Sequence, residues 1–470
     1  MEQNPAPLSQ ILENAFSKFR DRPCILTSQN ELLSFENYFA LILGFAERLR
    51  ILGVRPGNLV SVNLRNYEFS LALRLAVLRI GATNAPSVIG KNFEFSDIKI
   101  NKIISLKEHP TGHSREVFFS PDWLRLPSGY APIAAGGGFI HATSGSTGAP
   151  KLRYDSEAVF LARLGSNKAI RGPFSGPVLN LQNIGTLIGQ KAAIGALLEG
   201  AMQLSARETD AETLGLISQF EITDMFAPPL ILKRLKQQAA SGNHGFSSLV
   251  RINMGGGAVS NEFARSIEKQ FGCELWSDYG STETDTIASG RMAISPENRT
   301  IFTDLYPDVK IEVTDGDEDL IRVWIPPTRQ AKAYMDDEAL FDDTGWRVMD
   351  DLGKITNDNE LEIFGRASDV INAGGNKIAP HTIEALVEKL PQIKEVAAFK
   401  VPTDTRIDDI GIAVVFHEAA KSEHIENFLK SQIGDLYQIH IHSVDSIPKS
   451  EGGKVLRRLL SKKYSVRMDM

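Results

Sequence analysis

At 470 residues the chain is too long for one ordinary hydrophobic core, so we expect two or three domains. Hydrophobic residues make up 42% and charged residues 23%, which is an ordinary globular composition. The net charge of −7 excludes the basic footprint of a nucleic-acid-binding protein.

Cysteine use and hydropathy indicate a cytoplasmic protein without a membrane span. The only two cysteines, Cys24 and Cys273, are far apart and form neither a disulfide framework nor a zinc-binding spacing, which fits a reducing cytosol. The polar start, residues 1–5, lacks a signal-peptide pattern. The apolar run near residues 71–77 is interrupted by Arg74 and followed by Arg79, so it does not predict a membrane span.

Strands and helices alternate in the first part of the chain. Helical spacing of apolar residues, short β-branched runs and turn residues predict a helix, a strand pair, a helix, a buried strand, a helix and a further strand, at residues 8–20, 24–27 with 32–35, 38–52, 59–63, 68–80 and 82–87. This alternation continues to about residue 290. It predicts an α/β protein with layered, mainly parallel sheets. Residues 110–137 are rich in turn residues and give no clear prediction.

The pattern changes after about residue 298. Residues 309–313 and 320–324 alternate apolar and polar side chains, which predicts antiparallel strands and a β-rich subdomain. The last hundred residues predict a small α+β unit with strands at 360–364, 396–401 and 412–416, helices at 380–390 and 423–433, and a basic tail. We place the boundary after Arg366, which gives a large N-terminal domain of residues 1–366 and a small mobile C-terminal domain of residues 367–470.

A polar loop follows the predicted strand at residues 138–142. Residues 143–151 read Thr-Ser-Gly-Ser-Thr-Gly-Ala-Pro-Lys and offer hydroxyls, glycines and a lysine within nine positions. Glycines let backbone N–H groups approach an anion, and hydroxyls and lysine add donors, so the loop suits a polyphosphate. Its spacing is not that of a Walker A loop. Taken alone, such a stretch is more often a surface turn.

Five further stretches carry combinations of polar residues and glycines that a purely structural segment would not require. They combine glycines after a strand, an aromatic residue beside hydroxyls and carboxylates, paired aspartates, and a glycine-rich basic tail; they lie at residues 254–258, 278–285, 350–353, 365–375 and 448–457.

In this order and at these separations, the stretches resemble the acyl-adenylate-forming superfamily. This superfamily includes acyl- and aryl-CoA ligases, the adenylation domains of peptide synthetases, and firefly luciferase. The resemblance runs from about residue 8 to about residue 458. It implies an AMP-forming acid–thiol ligase that uses ATP and Mg²⁺ to make an acyl-adenylate and then passes the acyl group to a thiol. Because an anionic carboxylate attacks an anionic phosphate, cations and oriented donors are needed.

The resemblance also implies roles for individual residues. Glu283 matches the Mg²⁺ ligand and Thr282 the donor to the α-phosphate, whereas Asp351 matches the ribose-binding aspartate. The loop at 143–151 would hold the β- and γ-phosphates, and adenine would lie between residues 256–258 and Tyr279. The full set of cofactor-binding candidates is Thr143, Ser144, Gly145, Ser146, Thr147, Gly148, Lys151, Gly256, Gly257, Ala258, Asp278, Tyr279, Asp351, Arg366 and Gly375.

Lys454 matches the mobile lysine of the superfamily, which serves only the adenylation step. In the second step the small domain turns, and Gly374–Gly375 lines the tunnel for the pantetheine arm. We therefore expect Lys454→Ala to abolish adenylation but spare thioester formation from supplied acyl-adenylate. Gly375→Leu should have the reverse effect.

Two positions depart from the pattern of the superfamily. Residues 349–351 read Met-Asp-Asp where Thr-Gly-Asp is usual, so Asp350 competes with Asp351 as the ribose ligand. The hinge position two residues after Arg366 is Ser368, where the superfamily usually has Asp or Lys; a small polar residue can absorb a rotation.

The acid substrate is less sharply indicated than the reaction. The stretch at residues 178–185 lacks the aspartate by which peptide-synthetase domains bind α-amino acids, which disfavours that class. Residues 151–154 and 365–379 look most like adenylating enzymes for hydroxybenzoates, whereas the tail at 453–458 looks more like benzoate-type CoA ligases. We therefore expect an aromatic or other small carboxylic acid. Candidate pocket residues are Asn183, Phe226, Ala227, Gly257 and Thr284.

The acceptor thiol is that of coenzyme A or the pantetheine of a free-standing acyl carrier protein. Lys449, Lys454, Arg457 and Arg458 with Lys462 and Lys463 could form a basic face for such a carrier. Two alternatives remain open: a non-catalytic nucleotide- or acyl-binding protein with a degenerate site, and a luciferase-like oxygenase.

Overall fold

The computed structural model describes residues 6–86, 99–125, 131–143, 151–242, 245–256, 259, 261–294, 300–314, 319–334, 339–373, 376–403, 407–417, 423–433, 438–449 and 455–465. The helices of this part are α1 (Leu8–Lys18), α2 (Phe35–Ile51), α3 (Tyr67–Arg79), α4 (Glu157–Arg171), α5 (Leu187–Glu199), α6 (Asp210–Gln219), α7 (Pro229–Ala240), α8 (Asn261–Phe271), α9 (Pro380–Val387), α10 (Glu423–Ile433) and α11 (Arg457–Ser465). Short 3₁₀ turns lie at Pro121–Leu124 and Pro327–Arg329.

The strands, in chain order, are β1 (Pro23–Leu26), β2 (Leu32–Ser34), β3 (Leu59–Asn63), β4 (Thr83–Ala85), β5 (Lys102–Leu106), β6 (Glu116–Phe119), β7 (Gly138–Thr143), β8 (Lys151–Ser156), β9 (Val178–Asn180), β10 (Gln203–Leu204), β11 (Asp224–Ala227), β12 (Arg251–Met254), β13 (Glu274–Ser281), β14 (Asp285–Arg291), β15 (Ala293–Ile294), β16 (Thr300–Phe302), β17 (Asp304–Leu305), β18 (Lys310–Val313), β19 (Leu320–Trp324), β20 (Lys332–Ala333), β21 (Trp346–Ile355), β22 (Leu361–Arg366), β23 (Ile371–Ala373), β24 (Asn376–Ile378), β25 (Ile393–Pro402), β26 (Asp408–Phe416) and β27 (Ile439–Ser443).

Two large sheets form the first part of the chain. One has the order β17-β14-β13-β12-β11-β9-β10-β1-β2, and its central strands from β1 to β13 pair in parallel. The other has the order β20-β8-β7-β4-β3-β5-β6 and is parallel from β7 to β6. Antiparallel strands stand at the edges, such as β14 beside β13 and β8 beside β7. The predicted layered, mainly parallel architecture is confirmed.

A third sheet forms the predicted β-rich subdomain. It has the order β15-β16-β22-β21-β19-β18, and the pairings between its neighbours are antiparallel. Its core includes Phe302, Ile321, Val323 and Leu361, all at most 5% exposed. The strand β16 lies against β13 and β14 of the nine-stranded sheet, and a hydrogen bond from Tyr279 on β13 reaches Asp351 on β21.

The C-terminal residues build their own cores. The strands β25, β26 and β27 form one sheet, and β23 with β24 forms a hairpin. Ile383, Ile412 and Leu429 are fully buried in one cluster, while Phe399 and Leu460 pack in a second. The fold therefore has a large α/β portion with a β-rich subdomain, followed by a small α+β portion.

Helix caps fix the two helices that support the site. Ser156 accepts a hydrogen bond from Val159 N at the start of α4, and Thr186 accepts one from Gly189 N at the start of α5. Such side-chain oxygens satisfy backbone donors that lack an intrahelical partner, which fixes where a helix begins. In α5, Gly200 ends the helix in the left-handed conformation at φ 73°.

Some predicted elements shift and others appear where none was predicted. The helix predicted at 38–52 begins at Phe35 because Ser34 caps it, and the helix predicted at 380–390 ends at Val387. The unassigned region at 110–137 contains β6, and the basic tail contains α11. Among the residues described, no helix is both long and apolar enough to cross a membrane.

Candidate active site

Three side chains from separate motifs meet at the junction of the large sheet and the β-rich subdomain. Tyr279 on β13 donates a hydrogen bond from its hydroxyl to Oδ2 of Asp351 on β21, at 3.0 Å. Arg366 on β22 lies opposite Asp351 in the strand register, with its Nε 4.0 Å from Asp351 Oδ1. The neighbouring Asp350 is exposed. The structure therefore brings together three of the predicted residues, and Asp351 is the aspartate that Tyr279 contacts.

The tyrosine is held in place as a hydrogen-bond donor. Its ring packs against Phe302 with the ring centroids 5.6 Å apart. Burial raises the pKa of Tyr279 well above its ordinary value, and the carboxylate of Asp351 raises it further. The hydroxyl therefore keeps its proton throughout the physiological range and holds the carboxylate of Asp351 in a fixed orientation.

A tight turn follows Tyr279 and carries the predicted phosphate and metal ligands. Ser281 N donates to Thr284 Oγ1 at 3.1 Å, and the Thr284 hydroxyl donates to the Asp285 carbonyl at 3.0 Å. Asp285 has a φ of 60°, in the left-handed region. A Cβ atom at Gly280 would lie 1.8 Å from the Asp285 carbonyl oxygen, so only glycine fits there. The turn presents Thr282 and Glu283 between these fixed points.

Arg163 on α4 holds this turn from behind. The side chain is fully buried and donates to the carbonyls of Thr282 at 3.2 Å and Glu283 at 2.9 Å. It also donates to Asp155 Oδ2 at 2.7 Å and to the Arg329 carbonyl at 3.0 Å. A planar guanidinium offers five N–H donors, and here four acceptors are arranged around it. Arg163 thus fixes the backbone of the two residues that the resemblance assigns to chemistry.

Two arginines surround the carboxylate of Glu283. Arg153 on β8 is 1% exposed and donates from Nε to Glu283 Oε1 at 2.9 Å, while Arg347 Nη2 lies 3.8 Å from the same oxygen. Burial alone would raise the pKa of Glu283, but the charge of Arg347 and the hydrogen bond from Arg153 outweigh burial and lower it. The carboxylate is therefore ionised at neutral pH, as a Mg²⁺ ligand must be. The pair of arginines adds positive charge at the same place.

A buried charge network lies under the turn. Lys191 on α5 pairs with Asp285, and Arg329 donates to Asp308 Oδ1 at 2.6 Å and to the Thr286 carbonyl at 2.6 Å. Removing one partner of a buried pair leaves an uncompensated charge, which is strongly unfavourable.

His141 on β7 is part of the same network. Its Nε2 lies 3.8 Å from Asp155 Oδ2, and neither ring nitrogen has a hydrogen-bond partner among the described residues. Burial and the charge of Arg163 lower the pKa of His141 to about 3, so the ring is neutral. Burial raises the pKa of Asp155 to about 6 despite its contact with Arg163.

A cavity of about 250 Å³ lies between α4, α5 and the strands β11 to β14. Its aromatic walls are Phe174, Phe226, Trp276 and Tyr306, and its polar lining includes Lys191 and Asp278. Asp278 immediately precedes Tyr279 on β13, so the two side chains leave opposite faces of the strand. The cavity therefore lies next to the turn at residues 281–285, because Lys191 lines the cavity and also contacts Asp285 of the turn.

The predicted pocket residues are distributed unevenly around this cavity. Phe226 lines it, whereas Ala227 and Thr284 are fully buried and do not border it. Asn183 is exposed in the turn before α5, where its Oδ1 accepts a hydrogen bond from Gly185 N at 2.8 Å. Asp278, predicted from the sequence for nucleotide binding, has its side chain on the cavity side.

Other predicted residues lie at the ends of described segments or beyond them. Gly256 follows β12 with a φ of 101°, Lys151 begins β8, and Thr143 ends β7. Ser368 is exposed and donates to Asp369 Oδ1 at 3.1 Å. The remaining candidates lie outside the described residues: Ser144, Gly145, Ser146, Thr147, Gly148, Gly257, Ala258, Gly374, Gly375 and Lys454.

Residues on either side of the Lys454 segment are firmly attached to the C-terminal portion. Lys449 and Val455 form an antiparallel bridge, and Leu456 N donates to the Pro448 carbonyl at 2.9 Å. Arg457 then binds both carboxylate oxygens of Glu384 on α9, at 2.7 and 2.9 Å.

Comparison with known proteins bears on the predicted family and fold. The sequence profile of the AMP-binding enzyme family matches residues 138–322, which include β7, the turn at 281–285 and the cavity wall. The predicted resemblance to the acyl-adenylate-forming superfamily is confirmed. A curated relative of this chain is 4-coumarate–CoA ligase CCL1 of Humulus lupulus, 23% identical over 98% of this chain and 94% of the relative.

Solved structures share the fold of this protein over nearly the whole chain. ATP-bound MatB from Rhodopseudomonas palustris superposes with a TM-score of 0.82 at 20% identity, covering 97% of this chain and 99% of that one. The o-succinylbenzoate CoA synthetase MenE from Bacillus subtilis, in complex with its acyl-adenylate intermediate, has a TM-score of 0.81 at 19% identity and covers 97% and 98%.

The residues that sequence reasoning missed in this protein are the buried cations behind the site. Arg153 and Asp155 alternate along β8, which places both on one face of the strand. Charged residues at every second position of a short strand beside the polar loop could have indicated that these side chains face the site. Arg163 and Lys191 lie on helices with no motif around them, so no sequence pattern pointed to their role.

Proposed function

We propose that this adenylate-forming enzyme activates a small carboxylic acid with ATP and transfers the acyl group to the thiol of coenzyme A. In the first step a carboxylate oxygen attacks the α-phosphorus of ATP, and the bond from that phosphorus to the bridging oxygen breaks, releasing pyrophosphate. In the second step the thiol sulfur attacks the acyl carbon and AMP leaves. The observation that supports this reaction most directly is the hydrogen bond from Tyr279 to Asp351, beside Arg366 and the turn of Glu283.

The nucleotide would be held by residues from the three neighbouring motifs. Asp351 offers two acceptor oxygens to the ribose diol, with Tyr279 fixing its orientation, and the ring of Tyr279 forms one wall for adenine. The Thr282 hydroxyl would donate to the α-phosphate, and Arg366 would neutralise charge nearby. The loop at 143–151 would bind the β- and γ-phosphates.

Glu283 is the residue that fits a Mg²⁺ ion. Its carboxylate is ionised, and its backbone is fixed by Arg163. When bound, the ion would neutralise phosphate charge in the way that Mg²⁺ does when held by one or two carboxylates and phosphate oxygens. Arg153 and Arg347 would supply further positive charge near the departing pyrophosphate.

The cavity beside the turn is the proposed acid site. It contains Phe226, one of the residues predicted from the sequence, and its aromatic walls suit a planar ring. An aromatic acid is therefore the substrate class that we propose. The relative named as a 4-coumarate–CoA ligase and the neighbour named as an o-succinylbenzoate CoA synthetase support this class.

Coenzyme A is the acceptor that the relatives favour, because they are named as CoA ligases. A carrier protein is the second candidate, for which the basic tail was the argument. In the structure, Lys449 pairs with Glu395 at 2.9 Å and Arg457 is engaged with Glu384, so these two cations already have intramolecular partners. Arg458, Lys462 and Lys463 are exposed.

We also propose that residues 367–470 act as the mobile unit that brings Lys454 to the site. Within the part of the chain that the structure describes, two ion pairs connect this unit to the preceding residues: Lys377 to Asp319 at 3.0 Å and Lys233 to Glu388 at 3.3 Å. All four side chains are at least 30% exposed, so these pairs contribute little to holding the unit in one position. Gly365, with a φ of 131°, lies just before the proposed boundary.

The test is pyrophosphate release with Mg·ATP and a panel of benzoates, cinnamates, short fatty acids and amino acids, with and without coenzyme A. Release with one acid class that coenzyme A accelerates would support the proposal. A single burst that coenzyme A does not accelerate would point to a carrier protein as acceptor. ATP binding without release for any acid would favour a degenerate site, and oxygen uptake would reveal an oxygenase.

A further inference from the structure

The charged groups around the cavity are paired in a way that leaves one carboxylate unmatched. Lys191 contacts Asp285, Arg171 Nη2 lies 2.9 Å from Glu199, and Lys168 lies 3.9 Å from the same Glu199. Glu199 also accepts a backbone hydrogen bond from Phe174 at 2.8 Å. Each of these lining cations therefore has a carboxylate within reach.

Asp278 has no such cation. Its carboxylate accepts one hydrogen bond, from Ser289 Oγ at 2.5 Å, and Ser289 is its cross-strand neighbour on β14. Among the described residues, no lysine, arginine or histidine lies within ion-pair distance of it, and no second hydrogen bond to it is found. The side chain is accessible from the cavity. An ionised carboxylate has about four acceptor positions, and Ser289 uses one of them. The other positions can accept hydrogen bonds from a ligand in the cavity.

We propose that Asp278 receives a neutral hydrogen-bond donor, a hydroxyl or an aromatic amine, carried by the acid substrate at the end remote from its reacting carboxylate. This inference rests on the proposed function, because it assumes that the cavity binds the acid. It narrows the substrate class from aromatic acids in general to hydroxy- and amino-substituted ones.

The surrounding charges select a neutral donor over a charged group. A second carboxylate on the substrate would face Asp278 and Glu199, and like charges in a confined site repel each other strongly. An ammonium group would gain from the charge of Asp278, but it would lose hydration in the cavity and would face Lys191 and Arg171, whose charges also act on Asp278. A neutral O–H or N–H donor adds no net charge to the cavity.

The environment of Asp278 agrees with a donor at this position. Surrounding protein raises the pKa of Asp278, although the hydrogen bond from Ser289 and the charge of Lys191 lower it. A carboxylate in such a place lacks part of its hydration, and a donor from the ligand would replace it. Phe226 and Trp276 flank the same space and would contact the faces of a ring.

The test measures kcat/KM for pyrophosphate release with a matched set of acids. The set comprises benzoate, its hydroxy and amino derivatives at each ring position, 4-(aminomethyl)benzoate as the ammonium compound, and isophthalate and terephthalate as dicarboxylates. We expect at least one hydroxy- or aminobenzoate to exceed benzoate by about 10- to 150-fold, which is the range for a hydrogen bond to a charged group. The ammonium compound and the dicarboxylates should fall below benzoate.

Variants at Asp278 show whether that preference comes from this side chain. In Asp278→Ala the ratio of donor-bearing acid to benzoate should fall towards one, and in Asp278→Asn, which keeps the size and one acceptor, it should fall partway. Asp358→Asn, in an exposed turn, is the matched control and should keep the wild-type ratio. Tryptophan fluorescence and thermal unfolding of each variant check that it is folded.

The possible outcomes separate this inference from the proposed function. Release that is fastest with benzoate, with a dicarboxylate or with the ammonium compound would overturn the role of Asp278 and leave acid activation standing. A wild-type ratio in Asp278→Ala would overturn that role in the same way. No release with any acid, in this set or in the wider panel, would overturn the proposed function and this inference with it.

Discussion

The hydroxyl of Tyr279 lies 3.0 Å from Oδ2 of Asp351, although 72 residues separate them in the chain. This contact joins β13 of the nine-stranded sheet to β21 of the β-rich subdomain. It also distinguishes the two adjacent aspartates, because Asp350 is exposed and Asp351 is the hydrogen-bonded one. The arrangement gives a direct test of which aspartate holds the ribose.

Asp351→Asn should weaken ATP use far more than Asp350→Asn. We expect kcat/KM for ATP to fall roughly 10- to 100-fold in Asp351→Asn, because a charged acceptor for the ribose is lost, and about 5- to 10-fold in Tyr279→Phe, where only the orienting bond is lost. Asp350→Asn is the control and should stay within about twofold of wild type. Equal losses in both aspartate variants would contradict the assignment.

Glu283→Gln should shift the metal dependence of the reaction. The amide still accepts the hydrogen bond from Arg153 but carries no charge for Mg²⁺, so the Mg²⁺ concentration for half-maximal pyrophosphate release should rise at least about tenfold. The exposed Glu262→Gln on α8 serves as control and should titrate like wild type. A Glu283→Gln enzyme with an unchanged Mg²⁺ titration would show that this carboxylate is not the metal ligand.

Arg163→Met should destabilise the large domain and disturb the turn together. It leaves the buried Asp155 without its ion-pair partner and frees the carbonyls of Thr282 and Glu283, so we expect a loss of about 3–5 kcal/mol in the free energy of unfolding. Urea denaturation measures it. Arg125→Met is the matched control, because that side chain is 86% exposed and should change stability by less than about 0.5 kcal/mol. A small effect in Arg163→Met would mean that the network is not holding the turn.

His141→Phe should reduce the acid sensitivity of folding. The pKa of His141 is about 3 when folded and near 6.5 when unfolded. As the pH falls below 6.5, this histidine therefore binds a proton in the unfolded chain but stays neutral in the folded one. The contribution of neutral His141 to the free energy of unfolding is fully present above pH 6.5 and is lost as the pH falls towards 3.

The measurement is the free energy of unfolding of wild type and His141→Phe between pH 7 and pH 5. Wild type should lose up to about 1.4 kcal/mol more per pH unit than the variant below pH 6.5. Asp155, whose raised pKa has the opposite sign, is present in both proteins, so its contribution largely cancels. Parallel curves for the two proteins would contradict a neutral, buried His141.

Local sequence patterns predicted the framework of this protein well. The predicted strand at 59–63 is β3, and the predicted helix at 423–433 is α10, because their hydrophobic periodicity is strong. Motif order placed Tyr279, Asp351 and Arg366 in one site, and the structure brings them together. Periodicity failed where tertiary contacts decide: α11 is rich in basic residues, yet it packs Leu460 and Tyr464 against Phe399.

The supporting charges were not predictable in the same way. Arg163 acts through hydrogen bonds to residues about 120 positions away, and no local pattern encodes such a contact. The pocket residues show the same limit. Phe226 and Asp278 both reach the cavity, but only strand pairing decides that Asp278 faces it while Tyr279 faces Asp351.

The bridge between Lys449 and Val455 bears on how the reaction could be timed. Residues 450–454, which include Lys454, lie between these two positions in the sequence, and Arg457 is attached to α9 by hydrogen bonds to both carboxylate oxygens of Glu384. If residues 367–470 move as one unit, as proposed, we expect Lys454 to travel with them. Its arrival at the phosphate would follow the swing of that unit, so solvent viscosity and crosslinks that slow the swing should slow the first half-reaction too.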